Sequence, residues 1–173
     1  MSGLQNFKFE SLREDDRVIV SGWLKGHLLQ HMKWWSEQIG PAWSEDHILE
    51  HLREYQLVEK EWSEIWEDSL KEDRFVTVAR NLDGNSVGVV WGSVRLDRYF
   101  RHCRGELNWI CVEPNERRRG IARLLMDWAD LWFKGRDVRS HELFATGLNR
   151  SAIELYKKRG YKVVDVRMLR GPY

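Results

Sequence analysis

Apolar positions follow different periods in the two parts of this chain. In the first part the spacing is mainly helical, because apolar side chains recur every three or four residues. The pattern predicts a short strand over residues 7–12, a helix over 14–38 with interruptions near Gly22 and Gly26, and a long helix that begins after a serine cap at Ser44 and fades by Lys71.

From residue 74 the pattern becomes that of strands joined by turns, with two later helices. It predicts strands over 75–79, 87–96, 106–112, 143–146 and 161–169, and helices over 121–134 and 149–158. Asp83-Gly84 is typical of a hairpin turn between the first two strands. This order predicts one mixed α/β (α+β) domain, in which helices flank a mostly antiparallel sheet. We expect a helical part over 1–73 and a core over 74–170.

Composition narrows the class of protein. The 173 residues suffice for one domain with a sizeable core, and 28 basic against 27 acidic residues give no reason to expect a nucleic-acid partner. Two cysteines, Cys103 and Cys111, fit a reducing compartment. No apolar run is long enough to predict a membrane span or a secretory leader, so we expect a cytoplasmic protein without a membrane partner.

The segment VEPNERRRGIARLL, residues 112–125, carries the first chemical signal. A strand ends at Val112 and a helix begins just after Gly120, so the backbone N–H groups of the first helical turn have no intrahelical partners. Such N–H groups, aided by the helix dipole, bind phosphate well. The segment alone leaves two interpretations open: a phosphate-binding turn, or a solvated basic helix start.

A second segment decides between them by resemblance. The pattern V-x-P-x-x-R-x-x-G-x-A over residues 112–122, together with NRSAIELYKKRGY over 149–161, resembles the acetyl-CoA signature of the GNAT superfamily of N-acetyltransferases. The resemblance covers roughly residues 75–169 and implies acetyl-CoA as co-substrate. The cofactor-binding residues that it implies are Ile110, Cys111, Val112, Arg117, Arg118, Arg119, Gly120, Ile121, Ala122, Arg123, Asn149 and Tyr156.

The resemblance also implies a mechanism. The strand over 106–112 would bind the pantetheine arm by its backbone, and the N–H near Ile110 would polarise the thioester carbonyl. Glu106 would take a proton from the acceptor amine, directly or through water, although a solvated strand-edge glutamate is the alternative. Asn149 would bind pantetheine or cap its helix, and Tyr156 would donate a proton to the departing CoA thiolate.

These residues predict an acetyl-CoA-dependent N-acetyltransferase in which a primary amine, of a small molecule or a protein, attacks the thioester directly in a ternary complex. A covalent route through Cys111 is the rival, and regular alternation would place Cys111, Trp109 and Leu107 on the face opposite Glu106. A non-catalytic acyl-CoA-binding module on the same fold is the alternative function. The oligomeric state stays open, with a homodimer among the alternatives.

Three weaker patterns in the sequence concern a possible metal site and the acceptor substrate. His47 and His51 fit a zinc-peptidase pattern and His27 and His31 share its spacing, but no third ligand segment follows, so we expect no metal. Residues 44–73 hold eleven acidic and three basic residues, which form either a solvated helix face or an acidic surface that steers a basic or polyamine-like acceptor, or a protein amine, to the site. Ten tryptophans, Trp34, Trp35 and Trp43 among them, either pack in the core or line an acceptor pocket.

Overall fold

The computed structural model describes residues 6–170. Five strands form one sheet: β1 (Lys8–Ser11), β2 (Arg74–Arg80), β3 (Ser86–Leu96), β4 (Cys103–Val112) and β5 (His141–Leu143). The helices are α1 (Arg17–Ile39), α2 (Glu45–Glu54), α3 (Leu57–Ser69), α4 (Ile121–Lys134) and α5 (Arg150–Lys158), with short 3-10 helices at Glu14–Asp16 and Pro114–Glu116. The strands lie in chain order, antiparallel except for the parallel β4–β5 pair. The mixed, mostly antiparallel α/β domain is therefore confirmed.

Helices cover both faces of the sheet, and each face has its own apolar core. On one face α1 and α3 pack on the central strands, with Val20, Ile65 and Val89 fully buried. On the other face α4 packs its buried residues Ile121, Leu125 and Phe133 against the same strands. The central strands β2 and β3 are buried on both sides, which explains their continuous apolar runs.

The first helices differ from the prediction in two ways. Helix α1 continues through Gly22 and Gly26 without a break, because packing of its apolar face outweighs the modest cost of a helical glycine. The predicted long helix is two helices, separated where Gln56 adopts a left-handed conformation with φ 51°. The cap was correct, since the Ser44 side chain accepts a hydrogen bond from the N–H of His47 at 3.2 Å.

The C-terminal strands were predicted less well. β5 lies at His141–Leu143, ahead of the predicted 143–146, and residues 161–169 form no strand. In that segment Val164, Val166 and Met168 are largely exposed. Alternating apolar residues favour a strand only where a neighbouring strand and a core receive them. Among the described residues no strand pairs with this segment, and beyond Tyr161 its apolar side chains join neither core.

A buried ion pair ties the start of α1 to the sheet. The Arg80 guanidinium donates from Nη2 to Oδ2 of Asp16 at 2.7 Å, and from Nε to Oε2 of Glu10 at 2.8 Å. The Ser86 hydroxyl adds a 2.7 Å bond to Asp16. Both members of the central pair are buried, so each charge needs the other.

In the described part of the chain, no helix is long and apolar enough to cross a membrane.

Candidate active site

The turn before α4 has the geometry that the sequence predicted for an anion-binding helix start. Gly120 is the N-terminal capping residue with φ 83°, and no side chain within residues 6–170 caps this helix. The N–H groups of Ile121, Ala122 and Arg123 therefore form the open first turn. Ile121 is buried, whereas Gly120 and Arg123 are exposed. The arrangement presents backbone donors to solvent at the positive end of the helix dipole.

The arginines of this turn are held by local contacts. Arg119 forms an ion pair with Glu116, and Arg123 approaches Asp127 at 3.9 Å. Arg117 donates from Nε to the carbonyl of Val112 at 3.3 Å, which fastens the turn to the end of β4. Arg118 has φ 62° and is exposed. The left-handed backbone at this position and at Gly120 shapes the turn, while the side chains of the other arginines lie around it.

Strand β4, which leads towards this turn, contains a bulge. Trp109 pairs with Trp91 and Leu107 pairs with Gly92, so Asn108 has no partner in the register. Its side chain lies 3.1 Å from the Ser93 hydroxyl. Downstream of the bulge Ile110 and Val112 pack on the α4 side, and upstream Leu107 packs there too. The extra residue reverses the alternation between the two halves of the strand.

The predicted division of β4 into faces is therefore wrong. Glu106 pairs across the sheet with Ser93, on the α1 side, and Trp109 and Cys111 also pack on that side. Glu106 and Cys111 share a face, and Leu107 lies on the opposite one. Strict alternation holds only for a regular strand, and the sequence contains no marker for this bulge.

The β4–β5 pair opens immediately after three paired positions. Register runs from Gly105 opposite His141 to Leu107 opposite Leu143, and ends there. β4 continues to Val112, whereas the chain after β5 leaves the sheet towards Thr146 and α5. The backbone of residues 108–112 consequently faces a gap on its β5 side, where its N–H and C=O groups have no strand partner among the described residues.

Glu106 belongs to a network of charges at the start of this gap. Its side chain is 21% exposed, and its Oε2 lies 3.4 Å from Nε of Arg95. Arg95 also pairs with Glu142 of β5, which in turn binds Arg104 at 3.0 Å. This network joins β3, β4 and β5. One function of Glu106 is therefore to hold the strands where they begin to separate.

Asn149 and Tyr156 lie on α5, which is attached to α4 by ion pairs from Arg159 to Asp127 and Asp130. Asn149 caps α5, since its Oδ1 accepts a 3.3 Å hydrogen bond from the N–H of Ala152. Tyr156 is half-buried against the α4-side core, and burial raises the pKa of its phenol. The two segments of the signature are thus adjacent in space.

Cys111 is half-buried in the α1-side core. Burial raises the pKa of its thiol to about 11, despite the opposing effect of Arg117. The thiolate is the nucleophilic form of cysteine, and this environment disfavours it near neutral pH.

Helix α1 carries a row of aromatic side chains towards the gap, and local sequence alone did not predict this placement. The ring of His27 lies 5.9 Å from that of Trp109, and Nδ1 of His31 lies 3.1 Å from the hydroxyl of Thr146. Trp35 continues the row beside His31, with ring centroids 5.6 Å apart. The spacing of four residues signalled a shared helix face, but only the tertiary contacts identify what that face touches.

Beyond this row lies a cleft of ≈ 590 Å³ whose lining residues include Trp35, Trp43 and Leu169. Trp34, the third tryptophan of the predicted acceptor pocket, is not among its lining residues. The ring of Trp43 contacts those of His47 and His51. Within residues 6–170 no group of three or more potential ligands could hold a metal ion.

Comparisons with known proteins agree with this geometry. The model of the acetyltransferase (GNAT) family matches residues 29–161. A mycothiol acetyltransferase from Propionibacterium freudenreichii is 32% identical over 88 residues, which are 51% of this chain and 28% of that protein. The chain thus spans under a third of the length of this relative.

Two solved structures share the fold over nearly their whole lengths. An aminoglycoside N-acetyltransferase, AAC(6')-Iy, solved in complex with CoA, has a TM-score of 0.64 at 16% identity, with 94% of this chain and 92% of that chain covered. A mutant of a Bacillus halodurans protein has a TM-score of 0.71 at 17% identity, with 94% and 97% covered.

Proposed function

The chain belongs to the GNAT family of acetyltransferases, and from this premise we propose that it transfers the acetyl group of acetyl-CoA to a primary amine by direct attack in a ternary complex. The observation that carries the proposal is the open first turn of α4 beside the gap between β4 and β5. The turn has backbone donors for a pyrophosphate, and the gap has unpaired backbone groups for a pantetheine arm.

The residues around the turn have separate roles in this proposal. The N–H groups of Ile121, Ala122 and Arg123 bind the pyrophosphate, and Gly120 allows the close approach. Arg117, Arg118 and Arg119 stabilise the turn and add positive charge around it. The backbone of Ile110, Cys111 and Val112 binds the pantetheine arm, and Asn149 binds it from α5 while it caps that helix.

Acetyl transfer then needs an electrophile, a base and an acid. The N–H near Ile110 polarises the thioester carbonyl, because a fixed donor stabilises the negative charge that develops on oxygen. Tyr156 donates a proton to the leaving CoA thiolate, and its raised pKa keeps it protonated until then. Glu106 is one candidate for the base, although its ion pair with Arg95 already engages one carboxylate oxygen.

The direct route is favoured over a covalent one. A ping-pong mechanism needs a nucleophile that forms a thioester, and Cys111 is the cysteine nearest the gap. Its burial and raised pKa argue against that role.

The surface around the acceptor side favours a cationic amine. α2 and α3 expose most of their carboxylates, among them Glu50, Glu54 and Glu64. A negative surface beside an open site increases the encounter rate of cationic substrates and weakens as salt is added. The aromatic cleft at Trp35 and Trp43 offers room for an apolar part of the same molecule.

A transfer screen tests the proposal. Purified protein and acetyl-CoA are incubated with polyamines, aminoglycosides, amino acids and peptides, and CoA release is followed with a thiol reagent, with product masses as a second readout. Amine-dependent CoA release is the expected result, faster at low salt for polyamines. Tight CoA binding without turnover on any amine would instead identify a non-catalytic acyl-CoA-binding module.

A further inference from the structure

Two imidazoles of α1 bridge the gap between β4 and the chain after β5. On the β4 side, the ring of His27 lies 5.9 Å from that of Trp109, directly after the bulge. On the other side, Nδ1 of His31 lies 3.1 Å from Oγ1 of Thr146. The two imidazoles stack on each other with centroids 5.9 Å apart and planes 28° apart. One histidine thus contacts each wall of the gap.

The position of the pair matches the site of acetyl transfer in the proposed function. Trp109 directly precedes Ile110, whose N–H would hold the thioester carbonyl. The pair lies on the α1 side of β4, so an amine that enters from this side meets the imidazoles before it meets the thioester. His27 is exposed and therefore accessible to a substrate, whereas His31 is half-buried.

We propose that His27 is the base that accepts a proton from the acceptor amine, and that His31, hydrogen-bonded to Thr146, is a positioning residue that orients it. The inference rests on the proposed function. It assigns to Glu106 the structural role that its network with Arg95 already supports.

The electrostatic surroundings fit this assignment. Desolvation by the surrounding protein lowers the pKa of His27, and the charge of His31 lowers it further. Desolvation also lowers the pKa of His31. Both imidazoles are thus neutral near pH 7, with a lone pair available. The elements packed around the pair carry further titratable or charged groups. These are Glu106 and Cys111 of β4, Glu113 after β4, Glu61 of α3, which packs on α1, and Arg167 over the ring of Trp35.

The proton and electron pairs balance in such a step. The ammonium gives one proton to the His27 imidazole, which becomes imidazolium and later releases the proton to solvent. The freed nitrogen lone pair forms the C–N bond at the thioester carbonyl. As the tetrahedral intermediate collapses, the C–S bond breaks and Tyr156 gives its proton to the departing CoA sulfur. The nitrogen loses its second proton, which reprotonates Tyr156. The products are the amide and CoA.

Four variants on the intact chain test the assignment: His27→Gln, His27→Ala, His31→Gln and, as a matched control, His47→Gln on α2. Each is measured for acetyl-CoA affinity by calorimetry and for kcat/KM from pH 5 to 9 with an amine found in the screen. Imidazole is added to His27→Ala to test for chemical rescue.

We expect His27→Gln to lower kcat/KM by about 100-fold or more, with acetyl-CoA affinity unchanged and the acidic limb of the profile lost. Imidazole should restore part of the activity of His27→Ala. His31→Gln should keep the acidic limb but move it to higher pH, because His31 contributes to the low pKa of His27. His47→Gln should behave like the wild type.

Other outcomes overturn the inference in distinguishable ways. If the wild type turns over and His27→Gln keeps both its rate and its acidic limb, the base lies elsewhere, and loss of the limb in Glu106→Gln would identify that carboxylate. If the wild type acetylates no amine, the proposed function fails and this inference fails with it.

Discussion

Trp23 of α1 donates a 2.6 Å hydrogen bond from its indole Nε1 to Oε2 of Glu113, which directly follows β4. The bond joins residues 90 positions apart and connects the helical part of the chain to the turn that precedes α4. Trp23 is buried, so its N–H depends on this one carboxylate for a partner. The contact gives Glu113 a structural role at the end of β4.

Glu113→Gln tests the strength of this connection. An amide can still accept the indole proton, but a hydrogen bond to a charged group is worth about 1.5–3 kcal/mol and a neutral one about 1 kcal/mol. We expect the free energy of unfolding in urea to fall by about 1 kcal/mol, and by more in Glu113→Ala. The free energy of unfolding is also measured for Trp23→Phe and for the double variant of both residues. A loss in the double variant smaller than the sum of the two single losses would confirm the coupling, and a loss equal to that sum would contradict it.

Gly120→Val tests whether the backbone or the arginines bind acetyl-CoA. Gly120 has φ 83°, and no protein atom lies within 4 Å of where its Cβ would be, so within the protein the strain comes from the left-handed backbone. The added side chain would also block the close approach of the pyrophosphate that we propose. We expect a larger loss of acetyl-CoA affinity, measured by calorimetry, than in Arg118→Ala, Arg119→Ala or Arg123→Ala.

Gly84→Val is the matched control for that experiment. Gly84 has φ 84°, lies in the β2–β3 turn and also has open space around the added Cβ. It should lose about 1–2 kcal/mol of stability, as Gly120→Val does, while its acetyl-CoA affinity stays unchanged. A single arginine variant with a greater affinity loss than Gly120→Val would contradict the backbone-binding account.

Tyr156→Phe tests the proposed acid. Burial raises the pKa of Tyr156 above its usual 10.0, so the wild-type phenol keeps its proton through the alkaline range. We expect kcat to fall by about 100-fold, with acetyl-CoA affinity nearly unchanged. Tyr161→Phe is the control, because its ring lies 5.7 Å from that of Tyr156 and it shares the core. Unchanged turnover across pH would remove Tyr156 from the mechanism.

Cys111→Ala separates the direct route from a covalent one. Because burial raises the pKa of this thiol to about 11, little thiolate exists near neutral pH. We expect the variant to retain most of its turnover, and intact-protein mass spectrometry of the wild type with acetyl-CoA to detect no acetylated enzyme. An acetylated wild type that is lost together with activity in the variant would establish the ping-pong route.

Asp16→Ala tests the buried ion pair and its pH dependence. Burial alone would raise the pKa of Asp16, but hydrogen bonds from Arg80, Ser86 and the Arg13 N–H outweigh it and hold the pKa below 3.8. The contribution of the Asp16 carboxylate to the free energy of unfolding is therefore complete above pH 3.8. It is lost as the pH falls through the lower pKa that Asp16 has in the folded protein.

We expect Asp16→Ala to lose about 3 kcal/mol of unfolding free energy at pH 7, because Arg80 stays buried and keeps Glu10 but loses its buried acidic partner. The difference from the wild type should shrink below pH 3.8. Asp15→Asn, at an exposed neighbouring position, should lose little. An equal loss at both positions would indicate a general effect of charge at the helix start.

Local sequence determined most elements and the turn that we propose to bind the cofactor. The helices from residue 121 and from residue 149 were predicted within one residue, because apolar period, the φ preference of Gly120 and the capping side chain of Asn149 all act over a few neighbouring residues. The spacing within the motif was sufficient to predict the family, because the motif also consists of neighbouring residues.

The tertiary structure alone decided which side chains meet at the site. The unpaired Asn108 reverses the faces of β4, so Glu106 and Cys111 lie on one side. The same fold brings His27 and His31 to the gap through Trp109 and Thr146, which are distant in sequence. A bulge and a long-range contact depend on how strands and helices fit each other, and no local pattern of the chain encodes that fit.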